Sequence, residues 1–351
     1  MTNILVTGGA GYIGSHACKA LFLAGYTPVT FDNLSTGNRW AVRWGPLEIG
    51  DLRDPGRVHE VLASYRPAGI LHFAGLALVG ESMLEPARYW SNNVAGTQCL
   101  LDAARVHGVG GFVLSSTCAV YGMPRRSPIP EDAPTRPVNP YGTSKLAAEE
   151  MLRAYGAAYG LPYLILRYFN AAGADPDGEA GECRAVETHL LPLALDAGLR
   201  RRAALRLFGT DYPTPDGTAV RDYVHVSDLA DVHVTGLRRL LAGGSSETLN
   251  VGTGRGASVR EVIAAVGRIA GRKVPVREAP RRAGDPPVLV ADARRARKLL
   301  GIELGRSDLT SIVSTAFRWQ QGSRLAPDDR PTRRTARGPA ERETSLASTM
   351  S

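Results

Sequence analysis

The chain has 351 residues, of which 44% are hydrophobic and 22% are charged, and its formal net charge is +8. This length accommodates about two domains with a substantial core, and the composition excludes a disordered or fibrous protein. The first apolar run begins at residue 3, and the longest apolar runs are too short to cross a bilayer. The sequence therefore predicts a cytoplasmic protein without a signal peptide or membrane partner.

The positive charge and the four cysteines do not indicate a nucleic-acid or metal site. The cysteines are scattered without a Cys-x-x-Cys pair, which is typical of reduced thiols. The arginines are spread along the chain and are not interleaved with aromatic residues. We therefore predict no nucleic-acid partner and no metal, and a basic surface suits an anionic nucleotide ligand.

The first predicted strand leads directly into a glycine-rich turn. In the segment TGGAGYIG, Gly8, Gly11 and Gly14 follow one another at intervals of three residues. A strand, a glycine turn and a helix start allow backbone N–H groups to approach a diphosphate. Asp32 ends the next apolar run, 18 residues after Gly14, where a carboxylate binds ribose hydroxyls and repels a 2′-phosphate. This pattern favours NAD over NADP.

Three further apolar runs predict parallel strands at 47–49, at the start of the segment 69–75 and at 112–117. Asp51 follows the first of these strands, where it is placed to meet the adenine amino group. Small residues after the second strand allow close approach to a cofactor, and hydroxyl side chains end the third. Ligands bind at the carboxyl ends of strands in open α/β sheets. We expect Asn92 to open the helix between the last two strands.

The segment NPYGTSK, which begins at Asn139, is the clearest indication of catalytic residues in the sequence. Pro140 favours the first turn of a helix, so Tyr141 and Lys145 lie one turn apart on the same face. A nearby ammonium lowers the pKa of a phenol from its usual value of about 10. Such a tyrosine can take a proton from a sugar hydroxyl while hydride leaves the same carbon. Thr117 is placed to hold the reacting oxygen.

The remaining pattern predicts a second lobe and a tail. Ser258 and Glu261 form the S-x-x-E pattern of a capping box, before a helix that ends near residue 270. The last predicted helix covers 308–319. Residues 321–351 are rich in Pro, Arg, Ser and Thr and poor in apolar residues, which predicts a disordered tail.

Together these motifs resemble the extended short-chain dehydrogenase/reductase family, and the finer sequence is similar to its UDP-glucose 4-epimerase branch. The similarity covers about residues 1 to 320, and its most specific stretches are 208–218, 221–225 and 281–285. The resemblance implies an α/β fold, a Rossmann-type doubly wound parallel sheet with a smaller C-terminal α/β substrate-binding lobe. It implies an NAD-binding domain over 1–169, to which later segments return, and a mainly UDP-sugar-binding lobe over 170–320.

The resemblance also implies an activity, a set of site residues and a homodimer. The activity is NAD-dependent epimerisation at C4 of a UDP-hexose through a transient 4-keto sugar, with Tyr141 as base and Lys145 and Thr117 beside it. The implied cofactor contacts are Gly8, Gly11, Tyr12, Ile13, Gly14, Asp32, Asn33, Asp51, Leu52, Phe73, Ala74, Gly75, Asn93, Ser115, Tyr141, Lys145 and Tyr168. The implied UDP-sugar contacts are Thr117, Asn170, His189, Leu190, Phe208, Arg221, Tyr223, Arg282 and Asp285, with the two arginines on the diphosphate.

Three residues depart from the family pattern. Ala77 stands where many relatives carry a lysine that reaches the cofactor, which leaves the affinity for NAD open. His189 replaces the asparagine of some relatives. Leu289 stands where relatives have either a bulky aromatic or a small residue that limits the sugar 2-substituent, so it does not decide which UDP-sugar is preferred.

Alternative functions remain open from the sequence. A 4-epimerase of a UDP-N-acetylhexosamine, a UDP-pentose or a UDP-uronate would use the same chemistry at C4. A nucleotide-sugar dehydratase would need an acid and a base after Thr117, where this chain has Cys118 and Ala119. A non-catalytic NAD-binding protein is disfavoured because Tyr141 and Lys145 are both retained.

Overall fold

The structure is a computed structural model, and it describes residues 1–282 and 284–322. Its strands are β1 (Thr2–Thr7), β2 (Tyr26–Asp32), β3 (Leu47–Ile49), β4 (Gly69–His72), β5 (Phe112–Thr117), β6 (Tyr163–Tyr168), β7 (Asn170–Ala172), β8 (Leu205–Phe208), β9 (Val220–His225), β10 (Glu247–Val251), β11 (Gly256–Ser258), β12 (Val276–Ala279) and β13 (Val288–Leu289). Its helices are α1 (Tyr12–Leu23), α2 (Pro55–Tyr65), α3 (Val79–Leu84), α4 (Pro86–Tyr89), α5 (Gly96–Val106), α6 (Pro140–Tyr159), α7 (Leu190–Gly198), α8 (Val226–Leu241), α9 (Val259–Ala270), α10 (Arg294–Leu300) and α11 (Leu309–Gly322).

Seven parallel strands form the main sheet, in the order β10-β6-β5-β4-β1-β2-β3. Alternate residues of each strand face opposite sides, so Ile4 and Val6 pack with α1, α8 and α10, whereas Leu5 packs with α2, α5 and α6. The strand order reverses between β1 and β4, and this switch point opens a ligand crevice at the carboxyl ends of the strands.

A second lobe is assembled from the later part of the chain. Strand β9 pairs with β7, β11 and β13, and β8 pairs with β12. Helices α7, α9 and α11 share an apolar core with this lobe. The capping box at α9 is confirmed, because the Ser258 hydroxyl accepts from the Glu261 N–H and the Glu261 carboxylate accepts from the Ser258 N–H.

Two predicted boundaries differ from the structure. Asn92 does not open a helix, because a π-helical segment, Trp90–Ala95, joins α4 to α5 without a break. The last helix continues to Gly322, and the rest of the predicted tail at 321–351 lies outside the described residues. No helix in the described ranges has the length and apolar character needed to cross a membrane.

Candidate active site

The glycine turn after β1 is built for close backbone approach. Gly8 adopts a φ of +72°, and a Cβ there would lie 2.6 Å from the Ala74 nitrogen. A Cβ on Gly14 would lie 2.2 Å from the Gly8 carbonyl oxygen. Gly11 is the N-cap of α1, and no side chain among the described residues caps this helix. The first N–H groups of α1, from Tyr12 and Ile13 onward, therefore fit a bound diphosphate.

Three predicted cofactor contacts lie together at the carboxyl ends of β2 and β3. The buried Asp32 carboxylate accepts hydrogen bonds from two backbone N–H groups, at 3.1 and 2.8 Å. Burial raises the pKa of Asp32, and these two hydrogen bonds oppose that effect. Asn33 donates to Asp51 at 3.0 Å, and Arg53 holds the pKa of Asp51 well below its usual range. Both carboxylates retain lone pairs for ligand hydroxyl or amino groups.

Asn93 links the turn after β4 to helix α6 through hydrogen bonds. Its side-chain oxygen accepts from Leu76 N at 2.8 Å, and its amide group donates to Leu76 O and Ser144 Oγ, both at 3.0 Å. This bonding fixes the segment that carries Phe73, Ala74 and Gly75. The structure thus gives Asn93 a positioning role, and its direct contact with the cofactor stays a prediction. Leu52 packs into the core between β2, α2 and α5.

The predicted catalytic pair lies in the first turns of α6. The Asn139 side chain caps this helix by accepting from Gly142 N at 2.8 Å. Lys145 is buried, and its ammonium donates to no acceptor among the described residues. Burial lowers the pKa of Lys145 to about 8, and Glu149 acts against this shift. A buried ammonium with unused donors fits the hydroxyl groups of a ligand.

The pKa of Tyr141 differs from the prediction. Burial raises it well above 10, and the interaction with Thr117 works in the opposite direction. The predicted lowering by Lys145 is therefore wrong for the protein groups alone. The reason is that the cost of removing a phenolate from water dominates the pKa of Tyr141, and Lys145 is not among the main groups that act on it. Any lowering in the working site has to come from a bound ligand.

The hydroxyl groups at the end of β5 divide between the two faces of the sheet. Ser115 Oγ and Tyr168 Oη, both predicted cofactor contacts, are hydrogen-bonded at 2.6 Å, and burial raises the pKa of Tyr168 to about 12. Thr117 belongs to the same face as Ser115 and interacts with Tyr141. Ser116 faces the other side and donates to Glu149 at 2.6 Å.

Sequence reasoning missed a buried ion pair that joins α6 to β6. Glu149, two turns after Tyr141, accepts from Arg167 Nε at 2.9 Å and from Arg167 Nη2 at 2.6 Å. Arg167 also donates to Tyr121 Oη at 3.0 Å. A glutamate one turn after Lys145 was the only sequence signal, and Arg167 joins it only through the packing of β6 against α6.

Five predicted or discussed substrate residues meet around β9. In the sheet register, Asn170 is the partner of Tyr223, and Leu289 is the partner of Arg221. Arg221 also forms an ion pair with Asp285. The structure therefore brings together residues from three separate motifs on neighbouring strands.

Aromatic and guanidinium groups also lie together at the ends of the paired strands β8 and β12. The Arg282 guanidinium lies 4.2 Å from the ring centroid of Phe208, and Arg282 is exposed to solvent. Tyr212, which the sequence analysis did not select, has a buried hydroxyl without a partner among the described residues. This hydroxyl lies within electrostatic range of Asp285 and Arg221. An unsatisfied donor beside two arginines fits the diphosphate of a nucleotide-sugar.

His189 and Leu190 lie where α7 begins. His189 Nδ1 is 2.6 Å from Glu182 Oε1, and the charge of Glu182 raises the pKa of His189. Leu190 is the first residue of α7 and packs partly against the core of the second lobe. Glu182 was also missed from the sequence, because its contact with His189 depends on how the loop before α7 folds.

Residues 4–252 match the model of the NAD dependent epimerase/dehydratase family, and this match covers more than half of the chain. The chain belongs to this family. It is 52% identical to the UDP-glucose 4-epimerase of Rhizobium meliloti over 317 residues, which are 90% of this chain and 96% of the relative. The predictions of the family and of NAD as cofactor are confirmed.

The fold of this chain is also similar to solved structures of UDP-glucose 4-epimerases. The UDP-glucose 4-epimerase of Brucella ovis in complex with NAD has a TM-score of 0.88 at 51% identity, covering 90% of this chain and 98% of that chain. The enzyme of Stenotrophomonas maltophila, solved with NAD and formylated UDP-arabinopyranose, has a TM-score of 0.89 at 39% identity, covering 93% and 100%. The predicted Rossmann-type α/β fold is confirmed.

Proposed function

We propose that this chain interconverts UDP-galactose and UDP-glucose by NAD-dependent epimerisation at C4. The observation that carries the proposal is the position of Tyr141 in the first turn of α6, next to Thr117 and one turn before Lys145. The names of its relatives support it, because UDP-glucose 4-epimerases are 44–52% identical to this chain over about nine-tenths of its length.

Some residues of the site act on the sugar, and others bind the nucleotide. Tyr141 takes the proton from the sugar 4-hydroxyl, and Thr117 holds the oxygen that becomes the carbonyl of the 4-keto sugar. NAD, held at the glycine turn and by Asp32, would supply the hydride acceptor and a positive charge. Lys145, whose buried ammonium has unused donors, hydrogen-bonds hydroxyl groups of the bound ligand. Arg221 and Arg282 hold the diphosphate, so the sugar can turn while the nucleotide stays bound.

The preferred sugar is set by the space around the hexose. Leu289, beside Arg221 in the sheet, is the residue on which we expect the limit at C2 to depend. The alternative is a 4-epimerase of a UDP-N-acetylhexosamine, a UDP-pentose or a UDP-uronate. An N-acetylated sugar substrate is supported by the Campylobacter jejuni enzyme named as a UDP-Glc/GlcNAc 4-epimerase, which is 38% identical to this chain.

The assembly and location form part of the same proposal. Met83, Leu84 and Trp90 are exposed on neighbouring segments, and a second copy of the chain would cover such residues. No disulfide bond joins the cysteines of the described residues, as suits the reducing cytoplasm. We therefore propose a cytoplasmic homodimer. Residues 1–169 form its NAD-binding domain, to which the later segments α8, β10 and α10 return, and residues 170–320 form mainly its substrate lobe.

Product analysis tests the function directly. The purified chain is incubated separately with UDP-galactose, UDP-N-acetylgalactosamine and UDP-arabinose, and each product is identified. We expect the first to give UDP-glucose at the highest kcat/KM. Tyr141→Phe should retain NAD and lose several orders of magnitude in kcat, whereas Tyr159→Phe at the exposed end of the same helix should not. No turnover of any UDP-sugar by the wild-type chain would refute the proposal.

A further inference from the structure

A segment before α7 is tied across the glycine turn. We call residues 181–189 the bridging segment. Asn38, in the loop after β2, donates from its side chain to Cys183 O at 3.1 Å and from its backbone to Ala10 O at 2.8 Å. Trp319 Nε1 donates to Glu182 O at 3.0 Å. The bridging segment is thus fixed next to the turn that carries the diphosphate contacts.

Arg184 is the basic side chain of the bridging segment, and its guanidinium is only partly used. Its Nε donates to Glu182 Oε1 at 2.8 Å, and its side chain is 27% exposed. Its two terminal nitrogens have no acceptor within the described part of the chain. Burial raises the pKa of Tyr12 at the start of α1 and of Tyr168 at the end of β6, and the positive charge of Arg184 opposes both shifts. Arg184 therefore lies close to residues on two sides of the cofactor crevice.

Other charges near the start of α1 do not serve a bound anion. Lys19 is the basic residue of α1, and Asp175, Asp177 and Glu179 already form ion pairs with it. The side chain at position 77, after β4, is the uncharged Ala77. A dinucleotide carries two negative charges on its diphosphate, so the terminal nitrogens of Arg184 are suited to them.

Glu182 connects Arg184 to the substrate side. The same oxygen, Oε1, accepts from Arg184 Nε and lies 2.6 Å from His189 Nδ1. Burial would raise the pKa of Glu182, but His189 and Arg184 hold it below its usual range, so the carboxylate stays charged between them. One carboxylate oxygen thus orients both a cofactor-side cation and a substrate-side imidazole.

We propose that Arg184 is a further binding residue for the diphosphate of NAD, and that Glu182 positions Arg184 and His189 together. The proposal rests on the proposed function for the presence of NAD. It requires no change in the chemistry at C4. It adds a contact from the second lobe to the cofactor that the glycine turn of the first domain binds.

The test measures nucleotide binding rather than turnover. The purified full chain and its Arg184→Gln and Arg184→Lys variants are dialysed to equilibrium against NAD, ADP-ribose, adenosine or UDP, and the bound ligand is counted. We expect Arg184→Gln to raise the Kd of NAD and of ADP-ribose about 10- to 100-fold, the range for one charged hydrogen-bonded contact. Adenosine and UDP should bind unchanged, and Arg184→Lys should restore part of the loss.

A matched control is Arg294→Gln, since Arg294 also pairs with a carboxylate two residues earlier, Asp292, and is largely exposed. It should leave every Kd unchanged. Equal weakening of adenosine by Arg184→Gln would mean a structural role and overturn the proposal, as would a loss confined to UDP. If the wild-type chain binds NAD and Arg184→Gln binds it equally well, this inference alone fails. A wild-type chain that binds no NAD overturns the proposed function as well.

Discussion

Glu149→Gln removes the negative charge from the most buried ion pair beneath the active site. Glu149 is 0% exposed and Arg167 is 3% exposed. The carboxylate also accepts from Ser116 at 2.6 Å and from Arg153 at 2.9 Å. Glutamine keeps the shape and one acceptor oxygen, so the substitution tests the charge rather than the packing.

The expected loss of stability is set by Arg167. Arg153 is partly exposed and water can solvate it, but Arg167 would remain a buried cation without a counter-ion. Breaking such a pair by removing one partner costs about 3–5 kcal/mol. At about 2 °C per kcal/mol for a chain of this size, the melting temperature should fall by about 6–10 °C.

Unfolding by urea and by heat, followed by circular dichroism, measures this loss. The neighbouring Glu150→Gln is the matched control, because Glu150 is 65% exposed in its ion pair with Arg153. This substitution should lower the free energy of unfolding by less than about 1 kcal/mol. The double variant Glu149→Gln/Arg167→Met should recover part of the loss, since both buried charges are gone. Equal melting temperatures for the two single variants would refute the reasoning.

Three further changes probe the substrate lobe, the histidines and a helix cap. Arg282→Ala should raise the Kd of UDP at least about 10-fold and leave the Kd of NAD unchanged, and equal losses for both ligands would contradict the assigned pocket. Acidification from pH 6.5 to 4 should lower the urea midpoint, because burial lowers the pKa of four histidines to about 3 or 4. Over this range the unfolded chain binds protons that the folded chain does not, which costs up to about 1.4 kcal/mol of stability per pH unit for each histidine. A constant urea midpoint would exclude this effect of the buried histidines. These histidines are His16, His72, His225 and His233. Ser258→Ala should cost about 1 kcal/mol in the free energy of unfolding by removing the cap of α9, and an unchanged value would show that the cap does not contribute.

Local patterns determined most of the fold and the outline of the site. The glycine spacing at Gly8, Gly11 and Gly14 acts within one turn, and the spacing of Tyr141 and Lys145 acts within one helix. Apolar runs located β1 to β5 because strands buried on both faces read as continuous apolar segments. Each of these features depends on neighbours a few residues away, so the sequence alone contains it.

Tertiary structure decided the features that depend on distant partners. Arg167 reaches Glu149 from another element, and Asn38 holds Cys183 although 145 residues separate them. Likewise, the pKa of Tyr141 follows burial, which no local pattern reports. Desolvation and long-range ion pairing depend on which surfaces the fold excludes from water, and that is fixed only when the two lobes close around the crevice.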